Sequence, residues 1–174
     1  MDEWPPLAEP SIAEDAFIAD TARIFGDVTI ASEASVWYGA SIRAEVAPVT
    51  IGSGTNVQDN VVLHTDRGFP VVLGADVTIG HSAVIHGATV QDGALVGMGA
   101  IVLNGAVVQT GAFVAAGTVV PPGGVVPAGM LAVGNPMRVL REVRDSENQS
   151  TANGLNHYKH YAKIYAAMQE SEAE

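Results

Sequence analysis

Three histidines, His64, His81 and His86, fall within one stretch, NVVLHTDRGFPVVLGADVTIGHSAVIHG, running from Asn60 to Gly87. The chain has five histidines in 174 residues, so an even spread would put fewer than one between positions 64 and 86. Imidazole is the commonest protein ligand for transition metals, and three imidazoles on one ion leave a tetrahedral position open for water or substrate. The cluster therefore points to a catalytic metal site. The chain has no cysteine, which excludes disulfides and thiolate ligands and fits a reducing compartment.

The elements that must hold these histidines follow from a repeat. Ile18, Ile24, Ile30, Val36 and Ile42 are spaced by six. Ile51, Val57 and Leu63 continue at six after a slip, and Leu73 and Ile79 follow. After a further slip Val84, Val90, Val96, Val102, Val108, Val114, Val120 and Val126 keep the spacing, with glycines such as Gly93, Gly99, Gly105 and Gly111 between them. A helix would show an apolar period of 3.6 and an ordinary strand a period of 2. A period of six fits short strands, each ended by a tight turn and stacked on copies of itself, the hexapeptide signature of a parallel β-helix. Stacking buries one aliphatic per repeat in a continuous core, and β-branched residues suit such a surface. A glycine-rich sandwich would instead place turn signals about every 8–12 residues.

The expected fold is an all-β solenoid, a left-handed parallel β-helix of hexapeptide repeats with a C-terminal α-helix. Residues 1–144 form the solenoid and an N-terminal cap, and residues 145–174 a linker and the helix. The repeat stops near Arg138, and Asp145–Ser150 reads as a polar linker. Leu155, Tyr158, Tyr161, Ala162, Tyr165 and Met168 then mark one apolar helix face for packing along the solenoid. The tail Gln169–Glu174 is expected to fray.

Charge and hydropathy exclude several classes. A net charge of −11 leaves no basic stripe for phosphates and no attraction to anionic lipid, so neither nucleic acid nor a membrane is an expected partner. The acidic, proline-rich opening MDEWPPLAEP has no basic and apolar leader pattern. The expectation is a cytoplasmic protein.

In a left-handed hexapeptide helix three repeats, about 18 residues, make one triangular coil. His64 and His81 are 17 apart, which places them near one corner on successive rungs, about 4.8 Å apart along the axis. His86 is five further on, about one face around. No single coil wall then gathers all three on one ion, whereas copies packed side by side would, which suggests a cyclic trimer.

The stretches SVWYGASIRAE, IGSGTNVQDNVVLHTD, VTIGHSAVIHG, ALVGMGAIVLNGAVV and PAGMLAVGNPMRVLRE resemble the gamma-class carbonic anhydrase family, in its short bacterial and archaeal branch. The resemblance covers about residues 10–142. The last stretch is shared with hexapeptide acyltransferases; the combination of TNVQDN, LHTD and IGHSAVIHG is much more specific. The resemblance implies a left-handed β-helical homotrimer with zinc, replaceable by iron or cobalt, at each interface. His64 and His86 would come from one chain and His81 from its neighbour. It implies reversible hydration of carbon dioxide to bicarbonate by a metal-bound hydroxide, a lyase activity. Gln58 matches the residue that orients the bound water, and Arg43 and Asp59 match a pair bridging subunits. Glu45 stands where the family usually has Asp, with the same charge and one more methylene. Tyr158 is the counterpart of a tyrosine that the terminal helix places near the neighbouring site.

Two departures bear on turnover. The link after His64 is only TDRGFP, with Asp66 as its sole carboxylate, and Val46 stands at the second position proposed for proton transfer. Regenerating hydroxide needs a proton path, so slow, buffer-dependent or absent turnover is expected. Two other readings remain open. One is a hexapeptide acyltransferase using acyl-CoA with one histidine as base. The other is a metal-bound trimeric scaffold without catalysis.

Overall fold

The structure is a computed structural model that describes residues 8–173. The expectations of a leaderless start and of a cap over residues 1–7, and of fraying at Glu174, lie outside the described residues. The chain winds into a left-handed parallel β-solenoid with one C-terminal helix. One face is an eight-stranded sheet that includes Ser35–Val36, Asn56–Val57, Thr78–Ile79 and Leu95–Val96. The other two faces form one 11-stranded sheet that turns a corner. The long strand Ser41–Ile51 makes that corner, pairing through its first half with Val62–His64 and through its second half with Val71–Leu73.

Three columns of aliphatics fill the interior, each in register from rung to rung. Val36, Val57, Ile79, Val96 and Val114 form one. Ile42, Leu63, Ile85, Val102 and Val120 form the second. Ile30, Ile51, Leu73, Val90, Val108 and Val126 form the third. All are at most 2% exposed. The six-residue spacing is therefore the spacing of core residues, with one correction. Ile85, not Val84, points inward, six residues after Ile79. The slip falls instead at Gly87, where the chain turns with a positive φ of 57° and reaches Val90 early.

The irregular spacings gather at one edge of the prism. Ile42 to Ile51 and Leu63 to Leu73 carry more than the usual six residues, and both surpluses lie between the same two faces. The first rung already bends there: Gly26 has φ +88°, and a Cβ on it would meet the Ala44 carbonyl oxygen at 2.2 Å, so only glycine fits. At the opposite end of the stack, Met130–Val133 pairs antiparallel with Arg138–Glu142, which covers the last parallel edge.

The helix α1 spans Asp145–Ala173, so the polar linker expected at Asp145–Ser150 is absent. The cause is local. Glu147 accepts two hydrogen bonds from the Arg141 guanidinium, at 2.7 and 2.8 Å, and one from the Arg144 backbone N–H at 2.8 Å. That back-bond is the glutamate half of a capping box and starts the helix at once. Along the solenoid α1 buries Ala162 with Phe17, Ala19 and Trp37. Trp37 is the hub, edge-on to Phe17, Tyr158 and Tyr165 at 5.1–5.4 Å between centroids. Of the expected apolar face, Tyr161 and Met168 are about half exposed, because the helix touches the sheet only along the narrower stripe of Tyr158, Ala162 and Tyr165. Gln169 does not fray: it accepts a hydrogen bond from the Asp20 N–H at 3.0 Å and donates to the Ile18 carbonyl at 3.1 Å. No helix among the described residues is long and apolar enough to cross a membrane.

Candidate functional site

His64 and His86 are register partners on the adjoining strands Val62–His64 and Val84–His86, and Arg43 precedes them in the same column on Ser41–Ile51. His64 Nδ1 and His86 Nε2 stand 2.9 Å apart. The expectation that His64 and His81 share a corner is therefore wrong. The surplus residues of TDRGFP lengthen this coil, so His86, 22 residues on, stacks over His64. His81 lies at another corner of the prism, after the strand Thr78–Ile79. The division implied by the resemblance, His64 with His86 and His81 apart, is the one present in the single chain.

The first group is partly shielded. Desolvation, and then the neighbouring Arg43 charge, push the pKa of His64 below its ordinary value, so it is neutral near pH 7 with a lone pair to offer. Arg43 is paired with Glu45 Oε1, two residues along the same strand. The second Glu45 oxygen is buried without a hydrogen-bond partner, 3.5 Å from His64 Nε2. Behind His86, its Nδ1 lies 2.6 Å from Asn104 Oδ1, and Asn104 Nδ2 donates to Asp66 Oδ2 at 3.2 Å. Asp66 sits in the tight turn Asp66–Phe69, whose backbone bonds close it in both directions.

The second group centres on His81. Its Nδ1 is 2.9 Å from Asp59 Oδ2 and its Nε2 is 3.2 Å from the Tyr158 hydroxyl. A carboxylate only accepts, so Nδ1 bears the proton and the phenol donates to Nε2. Burial, then the Asp59 charge, raises the Tyr158 pKa, which keeps the phenol protonated. Gln58 is buried, accepting from the His81 backbone N–H at 3.1 Å and donating to Asn56 Oδ1 at 3.0 Å. Asn56 in turn donates to Thr78 Oγ1 at 2.9 Å. Gln58 thus holds the corner that carries His81.

The structure brings Arg43, Glu45, His64 and His86 together in one half-site and Gln58, Asp59, His81 and Tyr158 in another. Among the described residues of one chain, no three His, Asp or Glu side chains are arranged to hold a metal ion. The first half-site nevertheless fits a cation in its donor chemistry. Two nitrogens on one tetrahedral zinc stand about 3.3 Å apart, close to the spacing of His64 and His86, and a carboxylate oxygen without a partner lies beside them. Sequence reasoning missed Asn56 and Asn104. A fixed count of 18 gives no signal for Asn104, because the turn at Gly87 shortens this coil to 17 residues, Ile85 pairing with Val102.

No family model matches the chain. Over 69 residues it is 46% identical to a carbonic anhydrase of Geobacillus kaustophilus, a match covering 40% of this chain and 38% of that protein. Over 75 residues it is 41% identical to the mitochondrial gamma carbonic anhydrase 1 of Arabidopsis thaliana, covering 40% and 27%. The matched segments thus span well under half of these curated relatives. A solved hexapeptide transferase family protein from Anaplasma phagocytophilum is 41% identical, with 90% of this chain and 92% of that one covered and a TM-score of 0.86. The chain belongs to the hexapeptide-repeat family, and its matched segments are similar to those of gamma-class carbonic anhydrases. The transferase name on a full-length relative shows that this scaffold carries more than one functional label.

Proposed function

We propose that this protein is a metal-dependent carbonic anhydrase-like enzyme, hydrating carbon dioxide to bicarbonate at sites shared between copies of a homotrimer. The observation that carries the reading is the division of the three histidines into two partly exposed groups, neither of which gathers three ligands among the described residues of one chain. Side by side, His64 and His86 of one copy and His81 of the next would hold a divalent ion, zinc with iron or cobalt as substitutes. Such an ion supplies Lewis acidity, which brings the acidity of water close to neutral pH.

The chain's own residues supply the rest. Asp59 fixes the His81 ring with Nε2 free of a proton, and Gln58 fixes the backbone that carries it. The Tyr158 hydroxyl would stand beside any group bound at that nitrogen. Arg43, 55% exposed at its side chain, and Asp59 lie in different half-sites, which supports the reading that they pair across an interface. The outward column Val62, Val84, Ile101 and Val119 runs beside His64 and His86 on one face. A strip of four apolar residues supports burial against a second copy. No carboxylate beyond Asp66 stands in the loop after His64, so slow or buffer-assisted turnover belongs to the proposal, as does a cytoplasmic setting.

The test is metal analysis and stopped-flow carbon dioxide hydration on one anaerobically purified sample. About one ion per chain with chelator-sensitive hydration supports the proposal. Metal without hydration favours the scaffold. Acyl-CoA turnover in the absence of metal favours acyl transfer, the reading suggested by the Anaplasma relative's name.

A further inference from the structure

Asn104 stands behind His86, outside every residue assigned a role above. Its geometry admits only one arrangement of protons. The Asp66 carboxylate accepts and never donates while ionised. The end of the Asn104 amide that faces Asp66 Oδ2, at 3.2 Å, is therefore the NH2 group. That leaves the amide oxygen against His86 Nδ1 at 2.6 Å, and an amide oxygen only accepts. His86 Nδ1 must then carry the ring proton, and Nε2, the nitrogen 2.9 Å from His64 Nδ1, must be bare. A chain of hydrogen bonds thus starts at a fixed charge and ends at the lone pair facing the other histidine.

The supports of this relay are rigid. Asp66 is held in the turn that Phe69 closes. The Phe69 side chain lies against Gly87 and Gly105, where a Cβ would meet it at 2.6 and 3.3 Å. The same Gly87 would meet Asn104 Oδ1 at 2.5 Å if it carried a Cβ. The glycine that sets the early slip after Ile85 is therefore also the one that admits the amide. The short loop after His64 has a use distinct from proton transfer, which is to bring one carboxylate over Asn104.

We infer that Asn104 is a positioning residue: anchored by Asp66, it holds His86 as the Nδ1-protonated tautomer with Nε2 open toward His64. In the proposed metal site this presents a ready ligand and removes the cost of selecting a tautomer on binding. The inference rests on that reading for its purpose, but the tautomer itself does not need the metal.

The test has two arms. In the metal-free full-length protein labelled with 15N-histidine, the His86 ring nitrogens should show Nδ1–H and an unprotonated Nε2. Asn104→Ala should lose that preference at an unchanged melting temperature. In the second arm Zn2+ or Co2+ affinity is measured by chelator competition. Asn104→Ala should weaken binding about 10- to 100-fold. The exchange Asp66→Asn with Asn104→Asp restores a carboxylate acceptor at Nδ1 and an amide donor behind it, and should recover both the tautomer and the affinity. An Nε2–H tautomer in the unaltered protein, or Asn104→Ala binding as tightly as the unaltered protein, would overturn the inference. An exchange variant as impaired as Asn104→Ala would do so too. Failure of the metal reading looks different: the unaltered protein would take up no ion while His86 kept its Nδ1 proton.

Discussion

At the residue scale, two histidines on adjoining rungs and a third on another corner define what the chain offers. His81 is the sharpest probe, because its side chain is 41% exposed and its removal leaves the core untouched. His81→Ala should fold with unchanged melting temperature, lose bound metal and drop hydration to the buffer background; full metal content by atomic emission would exclude the site. The histidines were legible in the sequence because few residue types do their chemistry and they were crowded. Asn104 was not, because asparagine is an ordinary turn residue and only the folded register brings it over Gly87, within reach of His86. The same limit misplaced His81. Counting 17 residues assumed a regular coil, whereas the loop at Thr65–Pro70 adds length that the count could not assign to any rung.

At the element scale, burial patterns were legible and boundaries less so. The three aliphatic columns follow from a period of six, and an error of one residue at Val84 arose only where glycine shortens the turn. Ile85→Ala, fully buried between Leu63 and Val102, should cost about 2–5 kcal/mol in denaturant unfolding; Val84→Ala should cost clearly less. The start of α1 was hidden because its cap is Arg144 rather than a serine or aspartate, and the partner that stabilises it, Arg141, lies on the preceding strand. That junction has its own pH signature. The Arg141 hydrogen bonds, with the Arg144 N–H, hold the Glu147 carboxyl at about 2, below its ordinary 4.5. A lowered carboxyl pKa stabilises the folded state above pH 4.5 and loses that contribution as pH falls toward 2. The stability difference between the unaltered protein and Glu147→Gln, read by circular dichroism, should therefore be present at pH 6 and vanish by about pH 2.

At the scale of the whole molecule, the proposed function is tested by the state of assembly. The 18.0 kDa chain should scatter light as a trimer. Val62→Glu, on an outward position 37% exposed, should give a folded monomer that has lost metal along with its neighbours. A trimer that persists with Glu at this position would move the interface to another face. The prism was legible from the repeat, whereas the trimer is the proposal drawn from three histidines that one wall does not gather. Which corner each histidine occupies was not legible, because it depends on where surplus residues enter the coil.

Those surplus residues are confined to the early rungs, and from Val90 to Val126 the core spacing is an unbroken six. The later coils therefore behave as interchangeable length. A duplication or loss of 18 residues beyond Gly105 would move the end of the solenoid by about one rung, roughly 4.8 Å, while the histidine corners kept their neighbours within the solenoid. α1 runs back along the stack to Trp37 and Gln169 reaches Asp20, so the helix would have to change by about three residues for each rung at 1.5 Å per residue. The helix thus works as a tape measure, and the number of coils in such a chain is set by what can still be spanned from one end to the other.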